Sequence, residues 1–338
     1  MAANRTIKVL AAGGAVAGAA VAAAAAVAAG PALRDEARRL RRLARPLGPA
    51  LPGAPIPPPL PTGFVVCLPG RGEVFVRDTG DRHLPAPPVL LLHGWTVSAD
   101  LNFFALYGEL AGRHRVVALD HRGHGRGLRP RAPFSLEDCA DDAAALLDEL
   151  GIAEPVIAVG FSMGGPIAML LHHRHAGRVA GLVFCSTALE WKATTRERLL
   201  WRGVSLLEVA LRSGTGEGIV ARVLREVIDG SPDLAALEPW VRSEFHRGYP
   251  PDLAGAGRAL SAYDGRALAA GVDVPCAVVV TTTDQLVRPE KQYELADVLG
   301  AETFTLDGDH FAPFSRGPAF AKAITDAIDR VLDGVPRR

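Results

Sequence analysis

Three residue types that can together make an activated nucleophile stand far apart in this chain: Ser162, Asp284 and His310. A serine hydroxyl is a poor nucleophile by itself and needs a base, usually a histidine oriented by a carboxylate. Ser162 lies within Gly160-Phe161-Ser162-Met163-Gly164, a G-x-S-x-G pattern. The short apolar run Val156–Val159 before it reads as a buried strand, and Pro166–Leu171 after it reads as an opening helix. A serine on so sharp a strand-to-helix turn has a strained backbone and an Oγ pushed out of the sheet. The turn brings neighbouring backbones close, so the residues two before and two after must lack bulk, which Gly160 and Gly164 satisfy. Amides at the new helix N-terminus point into the same space and favour developing negative charge.

The base and the acid stand where strand ends would deliver them. Asp284 follows a strand expected over 276–281, and His310 follows another over 302–306. In a parallel sheet the loops at the carboxyl ends of the strands converge on one edge, so residues distant in sequence can meet there. The chain order Ser162, Asp284, His310 is that of the strand–turn–helix nucleophile fold. Asp307 and Asp309 flank His310 and are the alternative acids, although adjacent residues rarely point at each other. His121 and His124, three apart in a Gly-punctuated loop, suggest a metal only weakly, since thiols or acids in a ligand pattern are lacking; no metal is expected. His172, His173 and His175 read as a solvated helix face, and Trp191, Trp201 and Trp240 as packing residues.

The elements that must position these groups alternate. Strand-like runs at 64–68 and 73–76 come first, then the fully apolar Val89–Leu92, which ends in His93-Gly94-Trp95. Such a run suits a central strand covered on both faces. Arg115–Asp120 is another, running into His121-Arg122-Gly123-His124-Gly125. A helix follows with Ser135 as N-cap, Asp138 three residues on, apolar positions Leu136, Ala140, Ala143, Leu147 and Leu150, and Gly151 as its stop. After the serine segment comes a strand at 181–186. Strands alternating with helices argue for an α/β fold with a mostly parallel sheet. From 188 to 268 the spacing turns helical, as at Leu199, Leu200, Val204, Leu207 and Leu211 and over 219–224 and 227–228; this reads as a helical insertion. A last helix is expected over Pro318–Leu332.

With 338 residues the chain can bury a full core, and 37 basic against 37 acidic residues leave no electrostatic footprint for a nucleic acid. Cys67, Cys139, Cys185 and Cys276 show neither a disulfide framework nor zinc spacing. No charge falls between Val9 and Leu33, a run long enough to span a bilayer. Arg34, Arg38, Arg39, Arg41, Arg42 and Arg45 follow it, so the positive-inside rule puts the following domain in the cytoplasm. A cleaved signal peptide with export is the competing expectation. Residues 46–61, rich in Pro, read as a stiff spacer. The expected division is an N-terminal segment (1–33), a basic then Pro-rich linker (34–62), a core (63–187 and 269–335) and a helical cap (188–268).

Taken together, His93-Gly94-Trp95, Asp120–Gly125, the Gly160–Gly165 turn, Asp284 and Gly308-Asp309-His310 resemble the α/β-hydrolase fold, in its capped serine-hydrolase branch, over roughly residues 64–335. The resemblance implies a central, mostly parallel sheet flanked by helices with a helical cap. It implies an acyl-enzyme on Ser162, His310 as the base and Asp284 orienting it. The oxyanion donors would be the backbone amides of Trp95 and Met163, with His93 and Gly94 shaping the loop. No cofactor is implied. The expected reaction is hydrolysis of a small-molecule ester or thioester with a hydrophobic acyl group, a lipid included. A cofactor-free perhydrolase, a C–C hydrolase or an acyltransferase would use the same residues, and a non-catalytic binding protein could keep the fold.

Overall fold

The computed structural model of the protein describes residues 56–81, 83–129, 132–202 and 236–335. The apolar run Val9–Leu33, most of the linker, and the expected helical positions Val204, Leu207, Leu211, 219–224 and 227–228 lie outside the described residues. Among the described residues no helix is long and apolar enough to cross a membrane.

Eight strands of the described residues form one sheet: β1 (Gly63–Leu68), β2 (Gly72–Asp78), β3 (Val89–Leu92), β4 (Val116–Leu119), β5 (Val156–Phe161), β6 (Val179–Cys185), β7 (Cys276–Thr281) and β8 (Glu302–Leu306). Their order across the sheet is β1-β2-β4-β3-β5-β6-β7-β8. β1 and β2 pair antiparallel, β2 meets β4 antiparallel, and every other pairing is parallel. The β3 and β5 strands are direct neighbours, although β4 lies between them in sequence. One crossover leaves β3 toward β4 and the next returns past β3 to β5. That reversal opens a crevice at the carboxyl ends of β3 and β5, where ligands bind in such sheets.

The uninterrupted apolar strands have the expected cause. Leu90, Leu92, Val117, Leu119, Ala158, Val278 and Val280 point into one core. The alternate positions Val89, Leu91, Val116, Ala118, Ile157, Val159, Ala277 and Val279 point into a second. The first core is covered by helices α2 (Leu136–Glu149), α3 (Gly164–Arg174) and, later in the chain, Pro289–Leu299. The second is covered by α1 (Ala99–Leu110) and the final helix, Gly317–Gly334. Because successive strand side chains face opposite ways, both layers demand apolar residues and no polar alternation survives.

Ser135 caps α2, its Oγ accepting from the Asp138 amide at 3.0 Å, and Gly151 follows the helix with φ +65°. Besides the single turn over Ala312–Ser315, two helices have no counterpart in the sequence reading. In α1 the residues Leu101, Asn102, Phe103, Leu106 and Tyr107 are all buried, so no polar face marks its period. The helix over Pro289–Leu299 carries conventional signals, Pro at its first position and Gly300 in the left-handed conformation after it.

Between β6 and β7 the described elements are all helical: α4 (Thr195–Arg202), α5 (Glu238–Phe245), α6 (Pro250–Ala262) and α7 (Arg266–Ala269). The remaining helices are α8 (Pro289–Leu299), α9 (Ala312–Ser315) and α10 (Gly317–Gly334). α5 seats Trp240 and Val241 against Val97 and Leu101 of the core and Phe314 of α9.

Candidate active site

Ser162 stands at the end of β5 with φ +52°, in the left-handed region that L side chains rarely adopt. The strain is held by close packing. A Cβ at Gly160 would run into the carbonyl of Gly164, and one at Gly164 into the carbonyl of Leu92. Three hydrogen bonds fix the turn: the Ser162 amide to the Cys185 carbonyl (2.9 Å), the Gly165 amide to the Ser162 carbonyl (2.9 Å) and the Thr187 hydroxyl to the same carbonyl (2.8 Å). Met163 is the N-cap of the following helix, so its amide lies at the helix N-terminus.

His310 reaches this turn from the loop after β8. Its Nε2 lies 3.0 Å from Ser162 Oγ, and its Nδ1 lies 2.7 Å from Asp284 Oδ2. Asp284 comes from the loop after β7 and is fully buried. Of the alternative acids, Asp307 is exposed, and Asp309 turns back to accept from the Phe311 amide at 2.9 Å. The structure therefore brings Ser162, His310 and Asp284 together in one chain of hydrogen bonds, from three separate strand ends.

The acid is held more firmly than its motif suggested. Asp284 Oδ1 accepts from the amides of Leu286 (2.8 Å) and Val287 (2.9 Å), while Oδ2 accepts from the Thr281 hydroxyl (3.0 Å) besides the imidazole. Behind this loop lies Gln292 of α8, also fully buried. Its Oε1 accepts from the Thr281 amide (3.0 Å) and its Nε2 donates to the Val287 carbonyl (2.6 Å). One side chain thus clips both ends of the loop that presents the carboxylate. Ser186, at the end of β6 with φ +49°, adds its hydroxyl 3.0 Å from Thr281 Oγ1. Sequence reasoning missed Thr281, Ser186 and Gln292; the Gln came on a helix that had not been read at all.

Across the crevice, His93-Gly94-Trp95 leaves β3. His93 Nε2 accepts from the His121 amide at 2.9 Å, so the ring proton sits on Nδ1, which donates to the Gly94 carbonyl at 2.7 Å. That carbonyl belongs to the same trans peptide as the Trp95 amide, so the bond fixes the amide's direction as well. The Gly94 amide is in turn taken by Asn102 Oδ1 of α1 at 2.7 Å. Gly94 itself lies against Phe161 and Ser162, where a Cβ would be 3.3 Å from the serine Cβ. Thr96, next in line, is a β-branched residue at φ +71°, which costs about 1–3 kcal/mol that its surroundings must hold. Thr96, Ser162 and Ser186 are the non-glycine residues with positive φ among those described, and they lie beyond the carboxyl ends of β3, β5 and β6.

His121 and His124 form a buried imidazole group with His93, at ring separations of 4.3 and 5.4 Å. Burial holds all three far toward the neutral form: His93 is pushed down to about 4, His124 to about 3, and His121 well below its ordinary value, with neighbouring positive charge adding to the last two. The histidines after the turn do not form the uniformly solvated face that the sequence predicts. His175 lies 2.8 Å from Asp141 and His172 lies 3.2 Å from Asp273, leaving His173 exposed. Trp240 and Trp191 are buried as packing residues, whereas half-buried Trp201 lies against the Trp95 ring at 5.6 Å and so borders the crevice.

The arrangement can deprotonate a serine hydroxyl and hold an imidazolium beside a carboxylate, next to two helix- and loop-borne amides. The residues 87–206 match the family model described as alpha/beta hydrolase fold. A putative non-heme haloperoxidase of Mycobacterium phage D29 is 30% identical over 261 residues, covering 74% of this chain and 90% of that protein. A pimeloyl-[acyl-carrier protein] methyl ester esterase from a serogroup A strain of Neisseria meningitidis is 29% identical over 252 residues, covering 72% of this chain and 78% of that protein. Among solved structures, the enol-lactonase from Burkholderia xenovorans LB400 superposes with a TM-score of 0.66 at 26% identity, covering 79% of this chain and all of that one. With the fold, the crevice and these likenesses in hand, the chain belongs to the α/β-hydrolase fold family.

Proposed function

We propose that the protein is a serine hydrolase of carboxylic esters, working through an acyl-enzyme on Ser162. The observation that carries this reading is the chain of hydrogen bonds from Ser162 Oγ through His310 to buried Asp284. His310 Nε2 takes the serine proton as Oγ attacks the ester carbonyl carbon. The carbonyl oxygen becomes an oxyanion facing the Trp95 and Met163 amides, each donor of this kind contributing about 3–4 kcal/mol to the transition state. The imidazolium then returns the proton to the leaving alcohol. A water molecule, deprotonated by the same nitrogen, attacks the acyl carbon; the acid departs and the serine regains its proton. Asp284 keeps the imidazole in the tautomer that leaves Nε2 free to accept.

The likeness to an esterase that acts on a methyl ester, and to an enol-lactonase, supports an ester as the bond cleaved. The aromatic pair of Trp95 and Trp201, backed by Trp191, supports an apolar acyl group. A second reading is favoured by the haloperoxidase relative: hydrogen peroxide replaces water in deacylation, releasing a peracid from the same acyl-enzyme. The uncharged run from Val9 to Leu33, with its basic C-terminal flank, supports a tether that keeps the enzyme on the cytoplasmic side of a membrane. Fractionation and protease protection of the full chain test that tether, and a protein wholly in the soluble fraction would refute it.

Hydrolysis of 4-nitrophenyl esters over a series of chain lengths, with and without peroxide, tests the enzymatic reading. A burst of nitrophenol equal to the enzyme present, absent in Ser162→Ala, is the expected result. Peracid formed in place of acid would favour the second reading. Turnover by Ser162→Ala equal to that of the wild type would overturn both.

A further inference from the structure

The loop of residues 93–98, which carries the Trp95 amide, is held from two sides. On the core side His93 fixes the Gly94 carbonyl and Asn102 the Gly94 amide. On the other side the contacts come from the helical segment between β6 and β7. The Trp95 indole Nε1 donates to the Leu253 carbonyl of α6 at 2.7 Å. The Ser98 hydroxyl donates to Glu244 Oε2 of α5 at 2.9 Å. Strained Thr96 lies between these two grips.

Glu244 is not a surface charge that happens to be near. It is only 3% exposed. Its carboxylate accepts from Arg126 at 2.9 Å and from Arg247 at 2.8 Å. Arg126 in turn reaches Asp100 of α1 at 2.6 Å, and its amide donates to Asp120 Oδ2. Asp120 Oδ1 accepts from the Ala99 amide, at the start of α1. A buried carboxylate persists only where such partners hold it, and here they also fix its direction toward Ser98.

We propose that Glu244 is a positioning residue for the oxyanion hole, holding the loop through Ser98, so that seating the helical cap assembles the donor site as well as closing over the substrate. The inference rests on the ester-hydrolase reading. A cap that only selected substrates would need no carboxylate bonded to the residue that caps α1. Ser98 Oγ both accepts from the Leu101 amide (3.3 Å) and donates to Glu244, so movement of α5 is transmitted to the end of the strained loop.

The test compares the wild-type chain with Glu244→Gln, Ser98→Ala and the double variant, using a 4-nitrophenyl ester and a trifluoromethyl ketone with the same acyl chain. The ketone carbon takes Ser162 Oγ, the serine proton passes to His310, and the ketone oxygen becomes an oxyanion in the donor site. A loosened donor site lowers kcat about tenfold with KM nearly unchanged and weakens the ketone by about the same factor. The matching secondary alcohol, which forms no oxyanion, binds each variant as it binds the wild type. The double variant is no worse than the worse single one, because both remove one link. A fall in thermal midpoint with unchanged kcat and ketone affinity overturns the inference, as does a rise in KM alone. If Glu244→Gln does not fold, Ser98→Ala carries the test, since it leaves the Glu244–Arg126 pair intact; unchanged kcat there also overturns it. A wild type that neither turns over the ester nor binds the ketone brings down the hydrolase reading itself, whereas active wild type with unaffected variants brings down this inference alone.

Discussion

Replacing Gln292 by leucine should damage both stability and catalysis, although Gln292 touches neither the serine nor the histidine. The two side chains have similar volume, so the change opens little cavity. It removes the acceptor of the Thr281 amide and the donor to the Val287 carbonyl, in a site with no exposure. Each buried backbone group left without a partner costs about 1–3 kcal/mol, so a loss of about 2–6 kcal/mol follows. A domain stable by about 10 kcal/mol, the middle of the usual range, stays folded after that loss, which lets activity be measured on the variant. Thr281 and Val287 are the ends of the loop presenting Asp284, and the Val287 amide bonds its carboxylate directly. With the clip gone, His310 loses its fixed partner and kcat per folded molecule should fall about tenfold, as small misplacements of catalytic groups cost rates heavily. Urea unfolding of wild type and variant measures the first quantity, and the nitrophenol burst rate the second. A stability change under about 1 kcal/mol together with an unchanged kcat would refute the reasoning.

Asp284→Asn keeps the shape of the loop but offers His310 Nδ1 an amide, favouring the wrong tautomer; kcat should drop by about 10⁴ at neutral pH, and a drop of less than tenfold would contradict the assigned role. Gly164→Ala forces a Cβ onto the Leu92 carbonyl and should abolish soluble folded protein, as read by expression yield and circular dichroism. Acid should weaken the fold through the buried imidazoles. His93 has a folded value of about 4 against an ordinary 6.5, so its contribution is intact above 6.5, is lost as pH falls from 6.5 to 4, and is constant below that. The full loss from this one group is about 3 kcal/mol. His124, at about 3, extends the decline further. Urea midpoints across that range check it, and a flat profile would contradict it.

Much of this fold and site is legible in the sequence. β3, β4 and β5 were legible because both faces are buried, which leaves continuous runs of Val, Leu and Ile with no polar interruption. The serine turn was legible because its sterics exclude everything but glycine at 160 and 164. Asp284 and His310 followed from their places after strands, and Asp307 and Asp309 fell away only once the loop showed which carboxylate turns inward. What stayed hidden has a common cause. Gln292, Ser98, Asn102 and Glu244 act through tertiary hydrogen bonds between elements far apart in sequence, and no local spacing marks such partners. Helix α1 was invisible for a related reason: buried on nearly every side, it presents no polar face for a period to reveal. His172 and His175, read as solvated, proved to be engaged by Asp273 and Asp141 from neighbouring segments.

The central claim is that Ser162 is made nucleophilic by His310 in a working active site. Treating the full chain with a fluorophosphonate and mapping the adduct by mass spectrometry tests it most directly. The account predicts one phosphonyl group per chain, carried by Ser162, absent in Ser162→Ala and strongly slowed in His310→Ala. A folded protein left unmodified at Ser162, or one labelled equally fast without His310, would contradict it.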